Sequence, residues 1–127
     1  MKEEIRSSDW KALCDRLSEF ERGQLVTVHV IEHDGTRRKL GDSLLLEAIE
    51  FTTMNGCNDG IVIRASDGFE HAAISPLHVR LVRNANGGFN PVEIDAEAGS
   101  VILQFKPALK PTVLNGLGLE RSAGGKP

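Results

Sequence analysis

The chain predicts an α+β domain, with one N-terminal helix packed on a strongly bent, mostly antiparallel sheet of six or seven strands. Three observations carry this expectation. Apolar residues first recur at a helical period, the period drops to two after Gly23, and turn signals then cut the chain into short alternating runs. A small SH3-like or Sm-like barrel is preferred, because the opening helix can cap or flank it. An open sheet stands close behind, since periodicity does not distinguish closure from curvature.

The helix is expected to start at Ser7 or Ser8, either of which can cap an orphan backbone amide, with Asp9 well placed in the first turn. Trp10, Leu13, Cys14, Leu17 and Phe20 form its apolar stripe, Asp15, Arg16, Glu19 and Arg22 face water, and Gly23 ends it. So short a helix is marginal alone, so Trp10, Leu17 and Phe20 are expected to draw its stability from the sheet.

The first strand runs from Gln24 with Val26, Val28 and Val30 on one face and Leu25, Thr27, His29 and Ile31 on the other. Both faces are largely apolar, which places it inside the sheet. Asp34-Gly35 turns the chain, and Thr36 to Lys39 reads as an exposed loop. Further strands are expected over Leu44 to Thr52, broken at Asn55-Gly56, over Ile61 to Ala65, closed by Asp67-Gly68, and over Glu70 to Ile74 before Pro76. His78, Arg80 and Val82 then alternate with Leu77, Val79 and Leu81, giving a strand with a buried inner face. After a polar segment from Asn84 to Asn90, a hairpin pairs Val92, Ile94 and Ala96 with Val101, Leu103 and Phe105. The domain is expected to span residues 1–119, with a disordered tail over 120–127.

Length, at 127 residues, suits one domain, and 40% apolar with 26% charged residues argues against disorder. A net charge of −3 exerts no global pull on nucleic acid or anionic membrane. No apolar run approaches the roughly 20 residues needed to span a bilayer, and Met1 to Arg6 is charged rather than signal-like. A cytoplasmic protein is the expectation. Cys14, in the apolar stripe, reads as a small buried thiol, and Cys57 as a turn thiol with no evident neighbouring base.

Three blocks resemble a small bacterial family of unknown function, and the resemblance covers Asp9 to about Leu117. They are the helix Trp10 to Ser18, the strand Leu25 to Val30, and Ile74-Ser75-Pro76-Leu77-His78-Val79-Arg80-Leu81. The third is the most specific. The preceding His-containing strand, Glu70 to Ile74, and the final hairpin are also similar, whereas the glycine-rich Asn84 to Asn90 segment departs. The resemblance supports the domain boundaries and implies no chemistry.

Function is not legible from catalytic motifs. No serine or cysteine sits in a nucleophile elbow or redox motif, and no glycine run has the context of a phosphate loop. Glu93, Asp95 and Glu97 share one strand face and read as solvated. His29 and His33, four residues apart, and His71 and His78, flanking the Ile74-Ser75-Pro76 turn, could bind zinc if they converged, but spacing alone does not show convergence, and no metal and no cofactor are expected. The candidate binding residues are Arg64, His71, His78 and Arg80, with His78 and Arg80 projecting alike from one strand as an anion-binding surface that Arg64 joins. RNA recognition would need aromatic platforms, and only Phe51, Phe69 and Phe89 are left outside the assigned core, so nucleic acid is not favoured. The expected role is a non-catalytic binding or accessory domain working through a protein partner or self-association, with Leu44, Leu45, Leu46, Ile49 and Phe51 as surplus apolar surface. The alternatives are a small-ligand-binding bent sheet and an Sm-like RNA-binding protein.

Overall fold

The computed structural model describes residues 2–54, 58–117 and 119–120. Among them run strands β1 (Lys2–Ile5), β2 (Leu25–Glu32), β3 (Arg37–Met54), β4 (Asn58–Ala65), β5 (Phe69–Ile74), β6 (Pro76–Arg83), β7 (Phe89–Ala96), β8 (Gly99–Lys106) and β9 (Leu119–Glu120). Helix α1 (Trp10–Glu21) separates β1 from β2. The strands form one sheet in the order β5-β4-β3-β2-β8-β7-β6-β1-β9, antiparallel at every neighbouring pair.

The α+β class and the bent antiparallel sheet are as expected, but the sheet does not close into a barrel. Its two ends are β5 and β9, and among the described residues no ladder joins them. The cause is the corner at Ser75, whose φ of 56° turns the chain directly from β5 into β6. Strand β6 is already flanked by β7 and β1, so the turn carries the chain into the middle of the sheet instead of to its far edge. β5 therefore packs across toward β7 without pairing to it.

Curvature comes mainly from β3. Its first half pairs with β2 (Ile31 opposite Arg37, Leu25 opposite Leu45) and its second half with β4 (Leu46 opposite Ala65). Residues Thr36 to Lys39 were expected in a loop, but Arg37 to Lys39 extend the β2–β3 ladder. Backbone pairing decides there, while the polar side chains stay exposed and Arg38 bonds Glu32 across the strands at 2.6 Å. Gly41 lies where the bend brings the Phe69 ring against the strand; a Cβ there would meet that ring at 3.1 Å and Leu44 at 2.6 Å.

Two strands go beyond the six or seven expected. β1 was hidden because Glu3 occupies an inward position. Its carboxylate is only 2% exposed and accepts from Arg83 at 3.3 Å, and that guanidinium sits 4.7 Å above the buried Phe89 ring. β9, only two residues long, pairs with β1 through Leu119 and Glu120. Of the tail expected over 120–127, Glu120 lies in β9 and residues 121–127, like Cys57, lie outside the described residues.

Helix α1 starts differently from expectation. Neither serine caps it; Ser7–Asp9 form a 3-10 turn in which the Asp9 N–H donates to Arg6 at 2.8 Å, and the buried indole of Trp10 donates to the Ile5 carbonyl at 3.0 Å. Trp10, Leu13, Cys14 and Leu17 are buried against Ile49, Ile61, Val79, Val92, Ile94 and Leu103, leaving a void of only about 10 Å³. The helix thereby seals this end of the concave face with apolar side chains. Phe20 does not join the core. It is 54% exposed in the last turn, beside a surface groove formed with Pro107 and Lys110.

Candidate functional site

Arg64, His71, His78 and Arg80 do not converge. In the β4–β5 ladder His71 stands opposite the fully buried Ile63, whereas Arg64 stands opposite Glu70, so the two point to opposite faces. Arg64 is flanked by acids: it bonds Glu50 and lies 3.6 Å from Glu70. The Glu50 hydrogen bond, reinforced by both charges, raises its pKa further. It does not join the β6 residues.

His78 and Arg80 do share a face of β6, and both reach Glu4 on β1. His78 Nδ1 lies 2.6 Å from one Glu4 oxygen and Arg80 Nε lies 3.4 Å from the other. A carboxylate can only accept, so Nδ1 carries the proton. Arg80 also donates to Asp95 at 2.6 Å, and Lys2 bonds Glu93 at 2.9 Å. The anticipated anion surface is thus occupied by its own acids, and Glu93 and Asp95 are paired rather than simply solvated. Burial pushes Asp95 up, but hydrogen bonds from Arg80 and Ser100, with the Arg80 and His78 charges, outweigh it and hold the carboxyl below its usual range.

The remaining candidate, His71, lines a cleft of about 500 Å³. β5 forms one wall, through His71 to Ile74, and the turn from Ala96 to Val101 forms the opposite one. The end of β2 and Arg38 close the cleft behind them. It is the part of the concave face that α1 leaves open. Val30, Ala73 and Val101, all buried, make an apolar floor, and His33, Glu32, Asp34 and Arg38 stand around the rim. Burial, with a smaller contribution from Arg38, lowers the His71 pKa, so the ring is neutral at pH 7. Gly99 shapes the far wall: at φ 141° it lies so close to β2 that a Cβ would stand 2.5 Å from the Ile31 carbonyl oxygen.

The polar groups here are mostly engaged with one another. The Ser100 hydroxyl donates to Asp95 at 2.7 Å, Arg38 to Glu32, and Asp34 accepts the Thr36 N–H at 2.8 Å. Among the described residues no group of three or more histidine, cysteine or acidic side chains is placed to hold a metal. The aromatic residues proposed as stacking platforms are also committed. Phe89 is fully buried, Phe51 packs edge-on against Trp10 at 6.1 Å, and Phe69 packs on the core at the β3 bend.

Residues 1–113 match the model of a family of unknown function (DUF5335). The chain belongs to that family. The DUF5335 match takes in β1, α1 and every residue of the cleft, and so includes both the helix that seals the concave face and the opening it leaves. No curated protein and no solved structure matches the chain. No helix among the described residues is long and apolar enough to cross a membrane.

Sequence reasoning missed three residues that organise this region. Ser18 accepts the Ile49 N–H and donates to the Ile49 carbonyl, both at 2.7 Å, tying α1 to β3 where that strand has left β2. Glu4 and Ser100 attach to candidate residues or their partners from positions with no motif of their own. The only signal for Glu4 was its alternation with Ile5, which the inward Glu3 obscures.

Proposed function

We propose that the chain is a non-catalytic binding domain that acts through a protein partner received in the cleft between β5 and the β7–β8 turn. The observation that carries this reading is the placement of the opening: α1 fills one end of the concave face, and the other end presents an apolar floor behind a polar rim. The non-catalytic part draws support from the side chains themselves. Ser100, Arg38 and Asp34 are bonded to neighbours, and the Asp95 carboxylate that accepts from the Ser100 hydroxyl is itself held by Arg80, which makes it a weak base.

Self-association loses its original support, because Leu46 and Ile49 are in the core and Leu44 and Phe51 pack against it. Leu45, Ile74 and Leu77 remain exposed, the last two on either side of the Ser75 corner next to the cleft. Leu77 was expected on a buried inner face, but it lies at the register shift between the Pro76–Ala96 and His78–Asp95 pairs. An Sm-like RNA-binding role draws little support from rings already used in packing. A small-molecule ligand is the second reading, because about 500 Å³ falls within the range of ligand cavities. A cytoplasmic setting suits Cys14, a buried free thiol whose pKa burial pushes up to about 12.

Selection of a random phage-displayed peptide library on the full chain tests the proposal, with Ala98→Trp as the counter-target. Ala98 is an exposed turn residue on the cleft wall, so the substitution fills the opening without entering the core. Peptides enriched on the native chain and lost on the variant are expected. Equal enrichment on both, or none, overturns the reading. A thermal-shift screen in which metabolites stabilise the native chain but not A98W would favour the small-molecule alternative.

A further inference from the structure

We infer that the partner is an extended peptide that adds as a further strand to the free edge of β5; this deepens the binding reading above and rests on it. Natural sheets blunt their ends, and the two ends here differ in that respect. β9 is a two-residue strand. β5 runs for six residues, Phe-Glu-His-Ala-Ala-Ile, with no lysine and no proline inside it. Its ladder with β4 keeps one register from Gly60–Ile74 to Ala65–Phe69, whereas the β2–β3, β3–β4 and β6–β7 ladders all carry register shifts. A regular edge without bulge, lysine or proline is a template for pairing, because alternate N–H and C=O groups of an edge strand point away from its neighbour.

The edge also lies inside the cleft instead of on an open rim. The β7–β8 turn faces it across a cleft of about 500 Å³, a space on the scale of a few residues of extended chain and not of a whole second sheet. This favours a peptide over a second copy. Side chains of an added strand alternate between faces, as do those of β5. One set faces the side of His71 and Ala73, over the floor made by Val30 and Val101; the other lies along Ala72 and Ile74 toward the exposed Leu77. The small side chains of Ala72, Ala73 and Ala96 leave room for apolar residues of the peptide. At the β2–β3 end, two carboxylates, Glu32 and Asp34, stand against one guanidinium, Arg38, which is already bonded to Glu32. The excess negative charge calls for a lysine or arginine at that end of the peptide. The ligand class is therefore an extended segment with alternating apolar residues and a terminal base.

Strand addition has a signature that side-chain burial alone does not. Take a peptide enriched on the native chain and lost on A98W, and N-methylate its backbone one position at a time. Methylation at one alternate set of positions should weaken binding at least tenfold, while the intervening set changes it less than about threefold. In hydrogen exchange on the full chain, β5 amides should gain protection when the peptide binds. Asp34→Asn should weaken peptides carrying the terminal base several-fold and leave base-free peptides unchanged. An enriched, A98W-sensitive peptide that tolerates methylation everywhere, or leaves β5 exchange unaltered, overturns strand addition while the cleft remains the binding surface. Failure to enrich any A98W-sensitive peptide overturns both.

Discussion

Ser18 shows how much one side chain can carry in this molecule. β3 parts from β2 after Leu45, and the Ile49 backbone faces the helix where a strand neighbour would have been; a single hydroxyl then satisfies both its N–H and its C=O. Removing it leaves two part-buried groups unpaired, so Ser18→Ala should cost about 1–3 kcal/mol in denaturant unfolding, far more than an exposed helical serine. Trp10 is 7% exposed, packs on Phe51 and donates to Ile5, and Trp10→Ala should cost on the order of 3–5 kcal/mol by the same measurement. His71 has a folded-state pKa held below 6.5, chiefly by burial, so the unfolded chain takes up a proton more readily. The His71 contribution to the slope should therefore vanish above about pH 7, and stability should fall as pH drops below roughly 6.5. His29 is shifted the same way, and His71→Gln should remove only part of that slope. Unfolding midpoints measured from pH 7.5 to 5 would expose a slope of the wrong sign.

At the scale of elements, the β7–β8 turn is the most constrained piece of the cleft. Gly99 combines a φ of 141° with contact against the Ile31 carbonyl, so a methyl group there must push the hairpin off β2. Gly99→Ala should destabilise the fold by on the order of 1–3 kcal/mol. It should also displace the amide resonances of Ile31 and Glu32 while leaving those of α1 in place, which a two-dimensional NMR comparison would reveal. Helical and central-strand periods were legible because one side of each element is buried: Val26, Val28 and Val30 alternate in burial as they do in sequence. β1 and the start of β3 were not legible in the same way. Their pairing is dictated by backbone neighbours far along the chain, and an inward Glu3 or an exposed Arg37-Arg38-Lys39 run conceals it.

Across the whole molecule, a single core of buried residues runs from Ile5 through α1 and the sheet to Val113 and Leu114. Arg16 closes the circuit by donating to the carbonyls of Val113, at 3.0 Å, and Asn115. With no second core among the described residues, unfolding should be two-state. Fluorescence of Trp10, the chain's single tryptophan, and far-ultraviolet circular dichroism should give coincident denaturation curves. Separated midpoints would mean that the helix detaches before the sheet.

The amino-acid sequence by itself determined the α+β class, the helix and its buried stripe, and most of the strands downstream, because periodicity records which side of each element leaves water. The same signal says nothing about which strands are neighbours. Closure failed at a one-residue corner that places β6 between β7 and β1, and no local pattern encodes that choice. The fate of the four candidate residues was likewise decided only in three dimensions. Arg64 and His71 are separated by the pleat of one ladder, His78 and Arg80 are paired with acids from β1 and β7, and His71 alone borders the cleft. Charge pairing and concavity depend on residues distant along the chain, which is why the cleft is visible only in the tertiary structure.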